Sequence, residues 1–196
     1  MDERRRLVLA STSAYRRALL ERLGLTFECA APGLDESALG DEAPAETARR
    51  LAQAKAAAVA ARFPDALVIG SDQVASLGAL RLDKPGNHAN AVRQLQALSG
   101  RTAQFDTAVC VLDAARGARR DRVVPCRVTF RRLDARLIEA YLQREQPYDC
   151  AGSAKSEGLG IALIERIETE DPTALIGLPL IALTELLAAA GLPVVG

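Results

Sequence analysis

This chain has one histidine, no tryptophan, three tyrosines and four phenylalanines. Its four cysteines stand at 29, 110, 126 and 150, with no CxxC pair, and His88 is the only imidazole. The spacing of a Cys/His zinc site is therefore missing, and the cysteines read as reduced thiols of a cytoplasmic protein. Net charge is missing too, because 25 Lys+Arg balance 25 Asp+Glu. Without a charge excess there is no case for nonspecific binding to nucleic acid or membrane. Any phosphate site must come from local clustering. Arginines 116, 119, 120, 122, 127, 131 and 132 alternate with apolar residues and have no aromatics among them. That pattern fits a solvated strand face better than a stacking platform for single-stranded nucleic acid. No apolar run approaches the roughly 20 residues of a membrane span. The charged start, Met1 to Arg6, leads into only four apolar residues, too few for a secretory core. The expected location is the cytoplasm.

What is present is ordinary globular composition, 49% apolar and 26% charged over 196 residues, which argues against disorder. That length supports one domain with its own core. No repeat or linker interrupts it, so residues 1–196 are expected to form a single domain. Leu7–Ala10 reads as a strand, followed by Ser11-Thr12-Ser13 and a helix that Ser13 caps and Gly24 stops. Thr26–Ala30 is a second strand candidate. Residues 32–44 are an acidic, turn-rich loop, and Ala45–Arg62 is an Ala-rich helix. The continuous apolar run 66–70 predicts a strand buried on both faces, ending at Ser71-Asp72-Gln73. A helix over 87–98, two long strands over 103–112 and 122–130, a helix capped by Asp134, a strand over 161–167 and a helix over 180–190 complete the chain. This mixture predicts an α/β fold with a mixed sheet.

Five features can carry chemistry. Ser11-Thr12-Ser13-Ala14-Tyr15-Arg16-Arg17 places hydroxyls and two arginines where a strand hands over to a helix, a natural anion site. An ordinary cap with two surface arginines is the alternative. Asp72, at the expected strand end, can hold Mg²⁺ or take a proton from water, or simply serve a turn. Asp35-Glu36 can share a metal, or be a solvated acidic loop. Lys55 and Lys84 can contact phosphate, or be surface lysines. The 150–160 segment combines three glycines, two serines, Lys155 and Glu157 in a loop able to approach a ligand with its backbone. It has neither P-loop nor Rossmann order. His88, beside two asparagines, reads as a surface or capping residue. Together these residues suit metal-assisted phosphoryl chemistry.

The ordered set Leu9-Ala-Ser-Thr-Ser-Ala-Tyr-Arg-Arg17, Asp35-Glu36, Ala54-Lys-Ala56, Ile69-Gly-Ser-Asp-Gln73, Lys84-Pro85, Ser99-Gly100, Cys150-Ala-Gly-Ser-Ala-Lys-Ser-Glu157 and Gly177-Leu-Pro-Leu180 resembles the Maf family of nucleoside triphosphate pyrophosphatases, also called septum formation inhibitor proteins. The resemblance runs from about Leu7 to Leu187. Ala14 departs from it, since the family usually has proline there; proline would pre-set the first helical turn, which alanine still permits.

The resemblance implies an elongated mixed sheet flanked by helices, in two lobes around a central cleft, like inosine triphosphatase, and commonly a homodimer. It implies hydrolysis of a nucleoside triphosphate to monophosphate and diphosphate with a divalent cation, Mg²⁺ or Mn²⁺. By it, Asp72 matches the proton acceptor, and Asp72 with Glu36 the metal-holding carboxylates. Glu36, Lys55 and Lys84 match catalytic and phosphate-contacting positions, Ser11, Arg16 and Arg17 the phosphate loop, and Lys155 a further substrate contact. Tyr15, Gln73 and Glu157 stand at the positions that divide the family by substrate, and resemble the subfamily acting on 7-methyl-GTP. N7-methylated guanine is cationic, so Tyr15 can stack on it and Glu157 can accept from its N1–H and N2–H₂ edge. A broader or dTTP/UTP-type pyrophosphatase, and a non-catalytic nucleotide-binding regulator of septum formation, are the alternatives.

Overall fold

The computed structural model describes residues 5–37, 39–40 and 42–195. The first four residues, which carry most of the charged N-terminus, lie outside the described part, as do Ala38 and Asp41 of the acidic loop. Among the described residues the chain forms strands β1 (Leu7–Leu9), β2 (Glu28–Cys29), β3 (Leu67–Leu77), β4 (Leu80–Arg81), β5 (Thr102–Asp113), β6 (Ala118–Phe130) and β7 (Ile164–Thr169). Its helices are α1 (Ala14–Glu21), α2 (Pro44–Ala60), α3 (His88–Leu98), α4 (Ala135–Glu145) and α5 (Leu180–Ala189). The strands make one mixed sheet in the order β2-β1-β3-β5-β6-β7, with β4 added beside β3. β1 runs parallel to both β2 and β3, whereas β4 on β3 and β7 on β6 are antiparallel. The expected α/β class with a mixed sheet is what the chain adopts. No described helix is long and apolar enough to cross a membrane.

Local signals set several ends. Ser13 Oγ accepts from Arg16 N–H at the start of α1, and Gly24 takes φ +67° just beyond it. Asp134 Oδ1 accepts from Leu137 N–H at 2.8 Å and caps α4. On β6, Arg119, Arg120, Arg122 and Arg127 are exposed while Val124, Cys126, Val128 and Phe130 are buried, the alternation of a strand with one wet face.

The structure corrects two expectations. Asp72 does not end a strand; it is the sixth residue of β3, which continues to Leu77. The strand persists because its second half has a partner: Ser76 and Leu77 pair with Arg81 and Leu80 across a two-residue turn where Gly78 takes φ +62°. The last strand begins at Ile164, not at 161. Residues 159–163 form a 3₁₀ turn instead, because Leu159 N–H is held by Glu145 Oε2 at 2.7 Å and Gly160 lies against the Lys155 backbone.

The chain divides into two compact units. The first comprises Met1–Gln73, Thr107–Val124 and Asp171–Gly196, and the second Val74–Asp106 and Pro125–Glu170. The core of the first joins Leu7 and Leu9 of β1, Leu67 and Ile69 of β3, and Leu183 and Leu187 of α5. In the second, Leu95 and Leu98 of α3, Ile138 and Leu142 of α4 and Phe130 of β6 are almost fully buried.

Candidate active site

The site in the first unit starts from a missing side chain. Gly70 on β3 faces α2, where a Cβ would overlap the Ala52 carbonyl oxygen and lie 2.8 Å from the Ala56 nitrogen. Glycine on the strand lets the helix backbone press against it. Asp72, two residues on, projects from the same strand face. Lys55, three residues after Ala52, meets it there. Lys55 Nζ donates to Asp72 Oδ1 and to Glu36 Oε2, both at 2.7 Å. Lys55 is only 3% exposed and Asp72 6%, so this is an interior charge cluster. Glu36 reaches it from the loop before α2 and stays half in water. Burial pushes the Asp72 carboxyl above the ordinary range, while the charges of Lys55 and Arg16 and the Lys55 hydrogen bond pull it back and Glu36 adds to the rise.

The opposite strand face does a different job. Ser71 is fully buried, and its Oγ lies 2.8 Å from the Ala108 carbonyl and 3.0 Å from the Gly177 carbonyl. Arg16 Nε donates to the same Gly177 carbonyl at 2.8 Å. The Arg16 pKa is lowered by burial, against the pull of Asp72 and Glu36, so the guanidinium lies within the field of both carboxylates. Gln73 Nε2 points at Thr107 Oγ1 and at the carbonyls of Ala174 and Leu175, 2.9 to 3.0 Å away. Its amide nitrogen is thus spent on protein. Asp171 holds this segment in place, accepting from Thr173 N–H and Oγ1 and from Ile181 and Ala182 N–H at the start of α5.

The remaining candidate residues are placed as follows. Ser11 is buried and its Oγ accepts from Ser13 N–H at 3.1 Å. Tyr15 is half-buried on α1. Arg17 is exposed and paired with Glu21 at 3.0 Å. Asp35 does not join Glu36 at Lys55; it folds its own loop by accepting from Ser37 N–H and Oγ. In the second unit, Lys84 and Glu157 are exposed and Lys155 Nζ lies 3.0 Å from Glu145. His88 is the first residue of α3, between Tyr148 OH and Glu139 Oε2.

Residues 6–190 match the family described as Maf-like protein. The chain belongs to the Maf family. Among its relatives is a protein named 7-methyl-GTP pyrophosphatase from Burkholderia pseudomallei (strain 1710b), 57% identical over 97% of this chain and 90% of its own length. Proteins of the same name from Albidiferax ferrireducens and Cupriavidus metallidurans are 55% and 54% identical, over 98% and 100% of this chain and 96% and 98% of their own.

For this Maf protein the fold brings Asp72, Glu36, Lys55 and Arg16 together within one unit. Sequence reasoning missed Ser71, Thr107, Asp171 and the Gly177 carbonyl as their scaffold. Gly177-Leu-Pro-Leu180 was visible as a motif, but nothing local marks its carbonyl as an arginine anchor. Two oxygen-donor carboxylates converging on one ammonium also suit a hard divalent cation, which binds one or two carboxylates plus phosphate oxygens and water. No larger cluster of His, Cys, Asp or Glu that could hold a metal is found among the described residues.

Lys55→Ala leaves the buried Asp72 carboxylate without its nearest counter-charge. Loss of one partner from a buried pair costs about 3–5 kcal/mol. Urea unfolding at pH 8 is expected to show a loss of that order, and a smaller one at acidic pH, where protonation of Asp72 relieves its unpaired charge. Equal losses at both pH values would refute the account.

Proposed function

We propose that this chain hydrolyses 7-methyl-GTP to 7-methyl-GMP and diphosphate, keeping the modified nucleotide out of nucleic acids. What carries the reading is the Lys55–Asp72 pair, a carboxylate held in a dry, cation-lined place, in a chain so similar along its length to proteins of that name. Asp72 accepts the proton of the attacking water as its oxygen bonds to the α-phosphorus and the bond to the leaving diphosphate breaks. Lys55 holds the Asp72 and Glu36 carboxylates in place; by the family resemblance Ser11, Arg16 and Arg17 of the first unit are phosphate contacts, and Lys84 and Lys155 of the second are substrate contacts. Arg17 and Lys155 exchange Glu21 and Glu145 for substrate when they make these contacts. Mg²⁺ or Mn²⁺ held by Asp72 and Glu36 would supply further charge neutralisation at the phosphates.

By the family resemblance, Tyr15 is a base-stacking residue and Glu157 a reader of the guanine donor edge. The inward amide nitrogen of Gln73 leaves that residue to act through the 174–175 segment. The family resemblance adds a cytoplasmic homodimer. A panel of 7-methyl-GTP, GTP, UTP and dTTP, with diphosphate detection, tests the reading. Turnover is expected to be highest for 7-methyl-GTP, to vanish with chelator and to return with Mg²⁺ or Mn²⁺. Comparable turnover of UTP and 7-methyl-GTP would overturn the substrate assignment.

A further inference from the structure

In the second unit, Asn90 and Gln94 stand one turn apart on α3 and both reach the segment that carries Lys84. Gln94 Nε2 donates to the Asp83 carbonyl and Asn90 Nδ2 to the Pro85 carbonyl, each at 2.8 Å. Gly86 N–H donates to the Tyr148 carbonyl at 2.9 Å. The backbone on both sides of Lys84 is thereby fixed, while Lys84 itself is exposed. The other end of the Gln94 amide has a second partner: its Oε1 accepts from Ser153 Oγ at 2.6 Å. Ser153 is fully buried and sits at φ +58°, a conformation serine keeps only where its surroundings hold it. It begins the turn into Lys155 and Glu157, and Lys155 N–H is in turn held by Tyr141 OH at 3.0 Å. The amide orientation is dictated, because a carbonyl such as that of Asp83 can only accept.

We propose that Gln94 is a positioning residue that sets the Lys84 segment and the 153–157 loop relative to one another through the two ends of one amide. The inference rests on the reading above, in which Lys84 contacts phosphate and Glu157 the base. Each end then has its own consequence. The Asp83 end governs Lys84, and so the rate with every nucleotide. The Ser153 end governs Glu157, and so the choice between 7-methyl-GTP and UTP.

The test compares kcat/KM for those two nucleotides across four variants of the full chain. Gln94→Ala cuts both ends, and kcat/KM for 7-methyl-GTP is expected to fall about tenfold while the preference over UTP narrows. Gln94→Glu keeps the acceptor for Ser153 but loses the donor to Asp83, so both rates fall and the preference stays. Ser153→Ala cuts only the loop end: the preference narrows, with the larger fall for 7-methyl-GTP. Lys84→Ala is the control on the underlying reading. If it lowers the rates and Gln94→Ala does not, the Gln94 inference alone is overturned. It is overturned equally if Gln94→Ala reduces both rates by the same factor, in proportion to the folded fraction. If Lys84→Ala is silent, the placement of substrate at this segment is wrong and the inference falls with it.

Discussion

Asp72→Asn protein is expected to fold, bind 7-methyl-GTP and lose turnover by about 10²- to 10⁴-fold, the range for removing a positioned general base. The amide keeps the shape of the side chain but cannot take the proton of water. Single-turnover diphosphate release measures it, and activity within tenfold of the parent would remove Asp72 from the role of base. On the same proposal, Asp72 also sets the acid limb of the parent enzyme. Burial raises the Asp72 pKa, so kcat falls with decreasing pH at a point above the ordinary aspartate value of about 3.9. The effect on stability has the opposite direction. The folded state binds this proton more tightly than the unfolded chain, so the contribution of Asp72 is present at low pH and lost as pH rises through its folded pKa. The Asp72→Asn substitution removes that loss, and Lys55 keeps Glu36 as a counter-charge. A circular-dichroism spectrum and a cooperative melt at pH 8 are expected to show that the variant still folds, which separates lost chemistry from lost fold.

Gly70→Ala is expected to lower stability strongly. The added methyl meets the backbone of α2 at Ala52 and Ala56, with the Ala56 nitrogen 2.8 Å away, and backbone cannot rotate aside. The helix must move or the strand must bend. Overpacking typically costs about 1–3 kcal/mol, and a clash with backbone belongs at the upper end; about 3 kcal/mol lowers Tm by roughly 6–12 °C for a chain of this size. The same displacement draws Lys55 away from Asp72, so specific activity of the still-folded fraction drops as well. A thermal melt and an activity assay on folded protein check both parts. A melting point within about 2 °C of the parent, about 0.5–1 kcal/mol by the same conversion, would contradict the close approach.

Much of this protein was legible from local signals. The caps at Ser13 and Asp134, the alternation along 122–130 and the α/β class follow from interactions within a few residues, and local interactions leave periodic traces. The ordered motifs also named Asp72, Glu36, Lys55 and Arg16 as a set. Their geometry was not legible. Lys55 reads as one more solvated lysine in an Ala-rich helix until Gly70 brings that helix onto β3. Asp72 reads as a strand-end residue until the Leu77–Leu80 pairing extends the strand beyond it. Arg16 depends on a carbonyl 161 residues away, and Gln94 on a serine 59 residues away. The sequence by itself determined the element types, the family and the chemical inventory, because propensity, capping and motif order are properties of neighbouring residues. Only the tertiary structure decided which charges are dry, which amide ends are already spent and which loops share a tether, because burial and hydrogen-bond partners are set by whatever the fold packs against each group.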